Sequence, residues 1–256
     1  MRVISCVRPA LARAARKGVC RAANRRGSRR FCLCLEQVEA RLAFADNGDM
    51  LGPRSEPLTE DLPLTDYGRK PRVRAQITRL WQQARAAGAV QAVAVRACDF
   101  CGPDAANSVL SEYGVARRLA GRASLVPYPA NFPLDFTYVP HVARAIVTLA
   151  EAPDDACGQA RNVPIAPTRT LREPRGLAAK IAGVPMRLQT IPDRLAPLVG
   201  IFAPAVRELR EMRFQTDRRY RVDATECGLR FGPRFTGLAV GLAATVDFYR
   251  RSRSES

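Results

Sequence analysis

Two cysteines and one histidine are the first side chains to weigh for chemistry. Cys98-Asp99-Phe100-Cys101 is a CxxC, a spacing that serves a redox pair or half of a zinc site. A zinc site needs a second pair, and Cys32-x-Cys34 is a poor complement. A redox pair opens a helix beside a βαβ unit, whereas this one closes a β-rich run. The spacing therefore reads as small buried thiols, and no metal is expected. His141 is the only histidine, so no Ser/His/Asp or Cys/His nucleophile can be built without it. It follows Pro140 and reads as a helix-start residue, with titration near neutral pH as the alternative. Asp154 and Asp155 read as solvated loop charge.

The elements that would position these groups alternate strand and helix. Leu42–Pro53 predicts a strand ending in a turn, and Arg54–Pro63 a polar loop. From Pro71 to Ala87, Val73, Ile77, Leu80, Trp81 and Ala84 share one helical face, and Gly88 closes it. Val90–Val95 predicts a buried parallel strand. Ser108–Leu119 predicts a helix, and Val126–Phe136 a Pro/aromatic loop. Phe136–Val139 predicts a strand, followed by a helix with Val142, Ala145, Ile146 and Leu149 on one side, then a strand at Ala160–Val163. Leu177–Ile181 predicts a short helix, and residues 193–213 helical patches. Leu238, Leu242, Thr245, Val246 and Tyr249 stripe a terminal helix. The repeated strand–helix–strand order predicts an α/β protein.

The net charge of +17 is spread unevenly over 256 residues. Up to Ala43 the chain holds eleven basic and two acidic side chains, and only Lys17, Lys70 and Lys180 are lysines. Residues 1–40 are Arg-, Ala- and Cys-rich with little apolar pattern. They read as a targeting peptide, a basic nucleic-acid arm, or a segment disordered in or foreign to the fold; the last is favoured. Phe31 is the lone aromatic there, so no stacking platform for a single strand is supported, and no specific nucleic-acid partner is expected. The eight cysteines of so long a chain do not predict a disulfide framework, and the expected setting is cytoplasmic. No apolar run reaches the roughly 18 residues of a membrane span.

Four landmarks carry a family resemblance. FADNGDMLGP (Phe44–Pro53) is similar to a strand signature ending SSxxVYG, and VAVRACDFCGP (Val93–Pro103) to one ending LRxxNVYGP. FTYVPHVARA, with the later GQARNVP, is similar to FxHVxDVARA and GxxYNV. Arg221–Arg250 is similar to a terminal DxSKxxxxLGWxPxxxLeeGLxxTvxWYR. In this order they resemble the NAD-dependent epimerase/dehydratase family, the extended short-chain dehydrogenase/reductases. The resemblance implies an incomplete Rossmann-type doubly wound parallel sheet over residues 41–170, with a substrate-lobe insertion near 104–135. Residues 171–256 would form a small, mostly helical C-terminal substrate lobe.

It also implies NAD or NADP as cofactor, and reversible hydride transfer on a nucleotide-sugar-like or other hydroxyl or ketone small molecule. A homodimer fits the same picture. By position, Tyr67 would be the acid/base, Lys70 its electrostatic partner, and Asn47 the substrate orienter. Ala45, Asp46, Ala97 and Cys98 would line the cofactor, and Asp99 would touch substrate. The chain departs from the pattern in three places. None of its 17 glycines has the GxxGxxG spacing that lets backbone N–H groups approach a pyrophosphate. Asn47 stands in the Ser/Thr position, and an amide does not relay a proton as a hydroxyl does. Lys70 follows Tyr67 by three residues instead of four, with Pro71 next. These departures predict weak or absent NAD(P) binding and a chain inactive as it stands. The alternatives are a noncatalytic regulator on the same scaffold and, less favoured, a basic nucleic-acid-binding protein.

Overall fold

Residues 3–5, 41–106, 108–126, 131–166, 169–190, 211–232 and 235–254 are described in the computed structural model, and they fall into two units. The strands are β1 (Val3–Ser5), β2 (Arg41–Asn47), β3 (Gln91–Ala97), β4 (Asp99–Cys101), β5 (Ser124–Val126), β6 (Pro133–Leu134), β7 (Phe136–Tyr138), β8 (Ala160–Asn162), β9 (Arg169–Thr170) and β10 (Leu188–Thr190). The longer helices are α1 (Lys70–Ala86), α2 (Val139–Glu151), α3 (Arg172–Ile181), α4 (Thr225–Phe231) and α5 (Leu238–Ser254).

The first unit carries a parallel sheet in the order β1-β2-β3-β8. β3 reads QAVAVRA and is buried from Ala92 to Ala97, as expected for a parallel strand covered on both faces. Leu42, Ala92, Ala94 and Ala160 pack with Trp81 of α1. Of the expected α1 face, Ile77 and Trp81 are buried and Val73, Leu80 and Ala84 half-buried; Ala75, which was not on it, is buried as well. Arg41 closes the C-terminal end of α2. Its guanidinium donates to the carbonyls of Ala150 (3.0 Å) and Ala152 and pairs with Asp154. The expected solvated pair thus supplies one carboxylate to a buried arginine. Of the Arg-rich start, Val3–Ser5 forms a strand beside β2; residues 6–40 lie outside the described residues.

The second unit packs α5 and α3 around one apolar cluster. Leu242 and Val246 of α5, Ala178 of α3 with Ala182 just after it, and Leu110, Val115, Val126 and Phe136 are among its buried members. Three two-stranded pairings flank it: β4 with β7, β5 with β10, and β6 with β9. The segment expected as an α-helix from Ser108 is a π-helix over Ser111–Ala116, with an α-turn at Arg117–Leu119. Tyr113 and Val115 donate five residues back, to Ser108 (3.0 Å) and Leu110 (3.1 Å). Beside it, the Arg175 guanidinium donates to the Val109 carbonyl and to that of Leu125 (2.8 Å). The expected loop 126–136 contains β6. The expected helical patches over 193–210 lie outside the described residues. α3 begins earlier than expected, at Arg172, and Glu173 in its first turn accepts from the Thr170 N–H (3.3 Å) and hydroxyl (3.1 Å). Among the described residues no helix is long and apolar enough to cross a membrane.

Candidate active site

The parallel register of β2 and β3 brings their C-terminal ends level. Ala45 pairs with Val95, Asp46 with Arg96, and Asn47 with Ala97. Four of the expected site residues, Ala45, Asp46 and Asn47 of β2 and Ala97 of β3, therefore lie level at the C-terminal edge of the sheet, where ligands bind in open α/β sheets. The Asn47 amide is already engaged there. Its Nδ2 donates to Asp49 (2.9 Å), while its Oδ1 accepts from the Asp49 N–H (3.1 Å). This Asx-type turn reverses the chain into a 3-10 turn that buries Met50 and Leu51.

The next turn fixes the loop that carries Tyr67. Gly52 has φ +70°, and a Cβ there would lie 2.7 Å from Thr65 Oγ1, so only glycine allows Thr65 so close. The Thr65 N–H donates to the Met50 carbonyl (2.7 Å), and Thr65 Oγ1 accepts from the Tyr67 N–H (3.0 Å). Arg79 pairs with Asp66 (3.0 Å), and Arg72 donates to the Asp66 carbonyl (3.1 Å). Tyr67 is thus held at its backbone, with its side chain exposed. Gly68, at φ +56°, breaks any helix between Tyr67 and Lys70. Lys70 is the first residue of α1, and Pro71 takes the first-turn position that proline tolerates. Tyr67 and Lys70 therefore do not share a continuous helical face.

Beneath this surface lies a polar network, most of which pattern reading missed. Asp46 is buried. Its Oδ1 accepts from the Asn47 N–H (3.0 Å) and its Oδ2 from the Thr78 hydroxyl (3.2 Å). Burial pushes its carboxyl up to about 6, against the opposing pull of Arg74 and Arg96. Arg96 also donates to the Glu60 carbonyl (3.1 Å), and the Glu60 carboxylate accepts from the Asn162 N–H of β8 (2.8 Å). One signal was available: an arginine inside VAVRA must find partners when that strand is buried.

Cys98, Asp99, Cys101 and His141 belong to the second unit. The Cys98 N–H donates to the Thr137 hydroxyl (2.9 Å), and Asp99 opens β4 opposite Phe136. Burial, then Asp135 and Asp99, holds the Cys98 thiol well above its ordinary range. Burial, then Asp99, pushes Cys101 up to about 12. Both stay protonated at neutral pH, which suits neither a nucleophile nor a thiolate ligand. Among the described residues no cluster suits a metal ion. His141 is buried and lies edge-on to Tyr138, ring centroids 6.2 Å apart. Its Nδ1 accepts from the Thr236 N–H (3.3 Å), with the Thr236 hydroxyl 3.3 Å from Nε2. It ties a loop to α2.

The described residues do not fit a dinucleotide pyrophosphate. In this fold the phosphates lie on a glycine-rich turn after the first strand. β1 stands beside β2, but the residues after Ser5 read Cys6-Val7-Arg8-Pro9, and the first glycine is Gly18. Among the described glycines, the close approaches at Gly52, Gly102 and Gly241 are filled by Thr65 or Tyr138.

The model of the NAD dependent epimerase/dehydratase family matches residues 10–163. A search of curated proteins returns no match. Among solved structures, the chain is similar to DesIV, a dTDP-glucose 4,6-dehydratase of Streptomyces venezuelae crystallised with NAD. The identity is 18%, over 99% of this chain and 74% of that one, with a TM-score of 0.76. A UDP-glucuronic acid 4-epimerase of Bacillus cereus, in complex with UDP-glucuronic acid and NAD, is 13% identical over 90% of this chain and 68% of that one, at TM-score 0.72. RMD of Pseudomonas aeruginosa, complexed with NADPH, is 18% identical over 97% and 81%, at TM-score 0.71. At these identities the likenesses establish the Rossmann-type fold. With the family model spanning more than half its length, the chain belongs to the NAD-dependent epimerase/dehydratase family.

Proposed function

We propose that this protein binds a nucleotide-sugar-like or other hydroxyl- or ketone-bearing small molecule, and that the chain by itself performs no NAD(P)-linked hydride transfer. The observation that carries the reading is the level ending of β2 and β3, with Asn47 at the strand end and Tyr67 on a loop pinned to the turn that follows. In this reading Asn47 orients a substrate oxygen once its amide leaves Asp49. Tyr67 faces the substrate as proton donor or acceptor, and Lys70 supplies positive charge nearby. Ala45, Asp46, Ala97 and Cys98 mark the side on which the family holds its dinucleotide, and Asp99 the substrate side. A homodimer in the cytoplasm completes it; the described cysteines, Cys98, Cys101, Cys157 and Cys227, form no disulfide.

A noncatalytic regulator on the same scaffold is the second reading. The engaged Asn47 amide favours it, because no hydroxyl stands there to pass a proton. One experiment tests both against a working oxidoreductase. The chain is incubated with dTDP- and UDP-sugars and NAD or NADPH, and products are followed by chromatography, alongside Tyr67→Phe and Asn47→Ser variants. The expected result is sugar binding without turnover. Turnover that Tyr67→Phe abolishes would replace this reading with a working oxidoreductase.

A further inference from the structure

The buried carboxyl of Asp46 holds two elements at once. Oδ1 takes the N–H of Asn47, the last residue of β2, and Oδ2 takes the hydroxyl of Thr78, two turns into α1. Two cations act on the same carboxyl: Arg74 of α1 and Arg96, its register partner on β3. Arg96 is shared, since it also donates to the Glu60 carbonyl at the head of the loop that leads to Tyr67. No other carboxylate among the described residues is both fully buried and hydrogen-bonded to the strand end that carries a site residue.

We propose that Asp46 is a positioning residue: its two oxygens tie the end of β2 to α1, and its protonation state sets how Asn47 is held relative to the helix that Lys70 begins. As a carboxylate, Asp46 accepts from both Asn47 and Thr78 and draws on Arg74 and Arg96. As a neutral acid it keeps the Asn47 contact, turns its own O–H toward Thr78, and frees Arg96 for Glu60. Burial places this exchange near pH 6, inside the range a cell can reach. Only the naming of Asn47 and Lys70 as site residues rests on the reading above; the tie does not.

The test uses the full chain with no cofactor or substrate, so it can fail independently of that reading. Amide ¹H–¹⁵N shifts of Asn47 and Thr78 are followed from about pH 4.5 to 8, with emission of Trp81, one turn beyond Thr78 on α1, as a second probe. Both amides are expected to titrate together with a midpoint near pH 6. Asp46→Asn keeps the hydrogen-bonding shape and should abolish the titration. Thr78→Val removes a contact that favours the carboxylate and should raise the midpoint by about half to one pH unit. His141→Gln controls for the only histidine and should leave the midpoint unchanged. A static Asn47 amide in the wild type, or a titration that persists in a folded Asp46→Asn variant, would overturn the proposal.

Discussion

The β2–α1 seam and the α5 helix are held in opposite ways. Around α5, Leu242 and Val246 are fully buried among Ala178, Ala182 and Leu110, and the binding is apolar area removed from water. At the seam, Asp46, Thr78 and Arg96 are buried polar groups whose partners lie far along the chain. The apolar region gains stability and has no proton to exchange at ordinary pH. The polar seam gives up stability to keep a titratable group at a strand end. Groups retained at such a cost belong to sites more often than to cores.

The largest expected effect tests the apolar side. Leu242→Asp or Val246→Asp places an unpaired carboxylate in a filled core, at a cost of several kcal/mol, on the order of the stability of a small domain. Circular dichroism and urea titration should show loss of the cooperative transition of the second unit. A soluble, cooperative variant would mean that α5 is not docked by this stripe.

On the polar side the sign is set by linkage. The Asp46 pKa is raised in the fold from 3.8 to about 6. The native state therefore keeps a proton that the unfolded chain releases between about pH 4 and 6. Stability from this group is full below about pH 4 and falls as pH rises to about 6, by about 3 kcal/mol to order of magnitude. Asp46→Asn should flatten that dependence and leave the variant more stable than wild type at pH 7.5. Melting temperatures across the pH range would show it, and parallel curves for the two proteins would refute it.

Smaller still is Arg175→Met, which strands the carbonyls of Val109 and Leu125 and should cost about 1–3 kcal/mol. If chemical denaturation shows no loss, the π-helix does not depend on that tie. Tyr67→Phe sits at the bottom of the scale, within about 0.5 kcal/mol, because the ring is exposed.

The contrast also explains what the sequence makes legible. α1 and α5 are readable because their apolar residues recur at helical spacing, and β3 because a small β-branched run suits a buried parallel strand. The family landmarks locate the strand ends and hence Asn47, the last residue of β2. The π-helix is not legible: Arg175, which bonds the Val109 carbonyl beside it, lies 66 residues away. Nor is the Asp46 tie, whose partner Thr78 is 32 residues away. The Asn47–Asp49 turn is legible as an Asx turn, since Asn followed two residues on by Asp offers both the amide and its partners.

The most direct measurement is a calorimetric titration of the chain with NAD and with NADPH. No saturable binding in the micromolar range is expected, because the sequence directly after β1 holds no glycine and, among the described glycines, the close approaches at Gly52, Gly102 and Gly241 are already filled by Thr65 and Tyr138. Saturable micromolar binding of either dinucleotide would contradict the account, and would assign a phosphate site to the arginine-rich start of the chain.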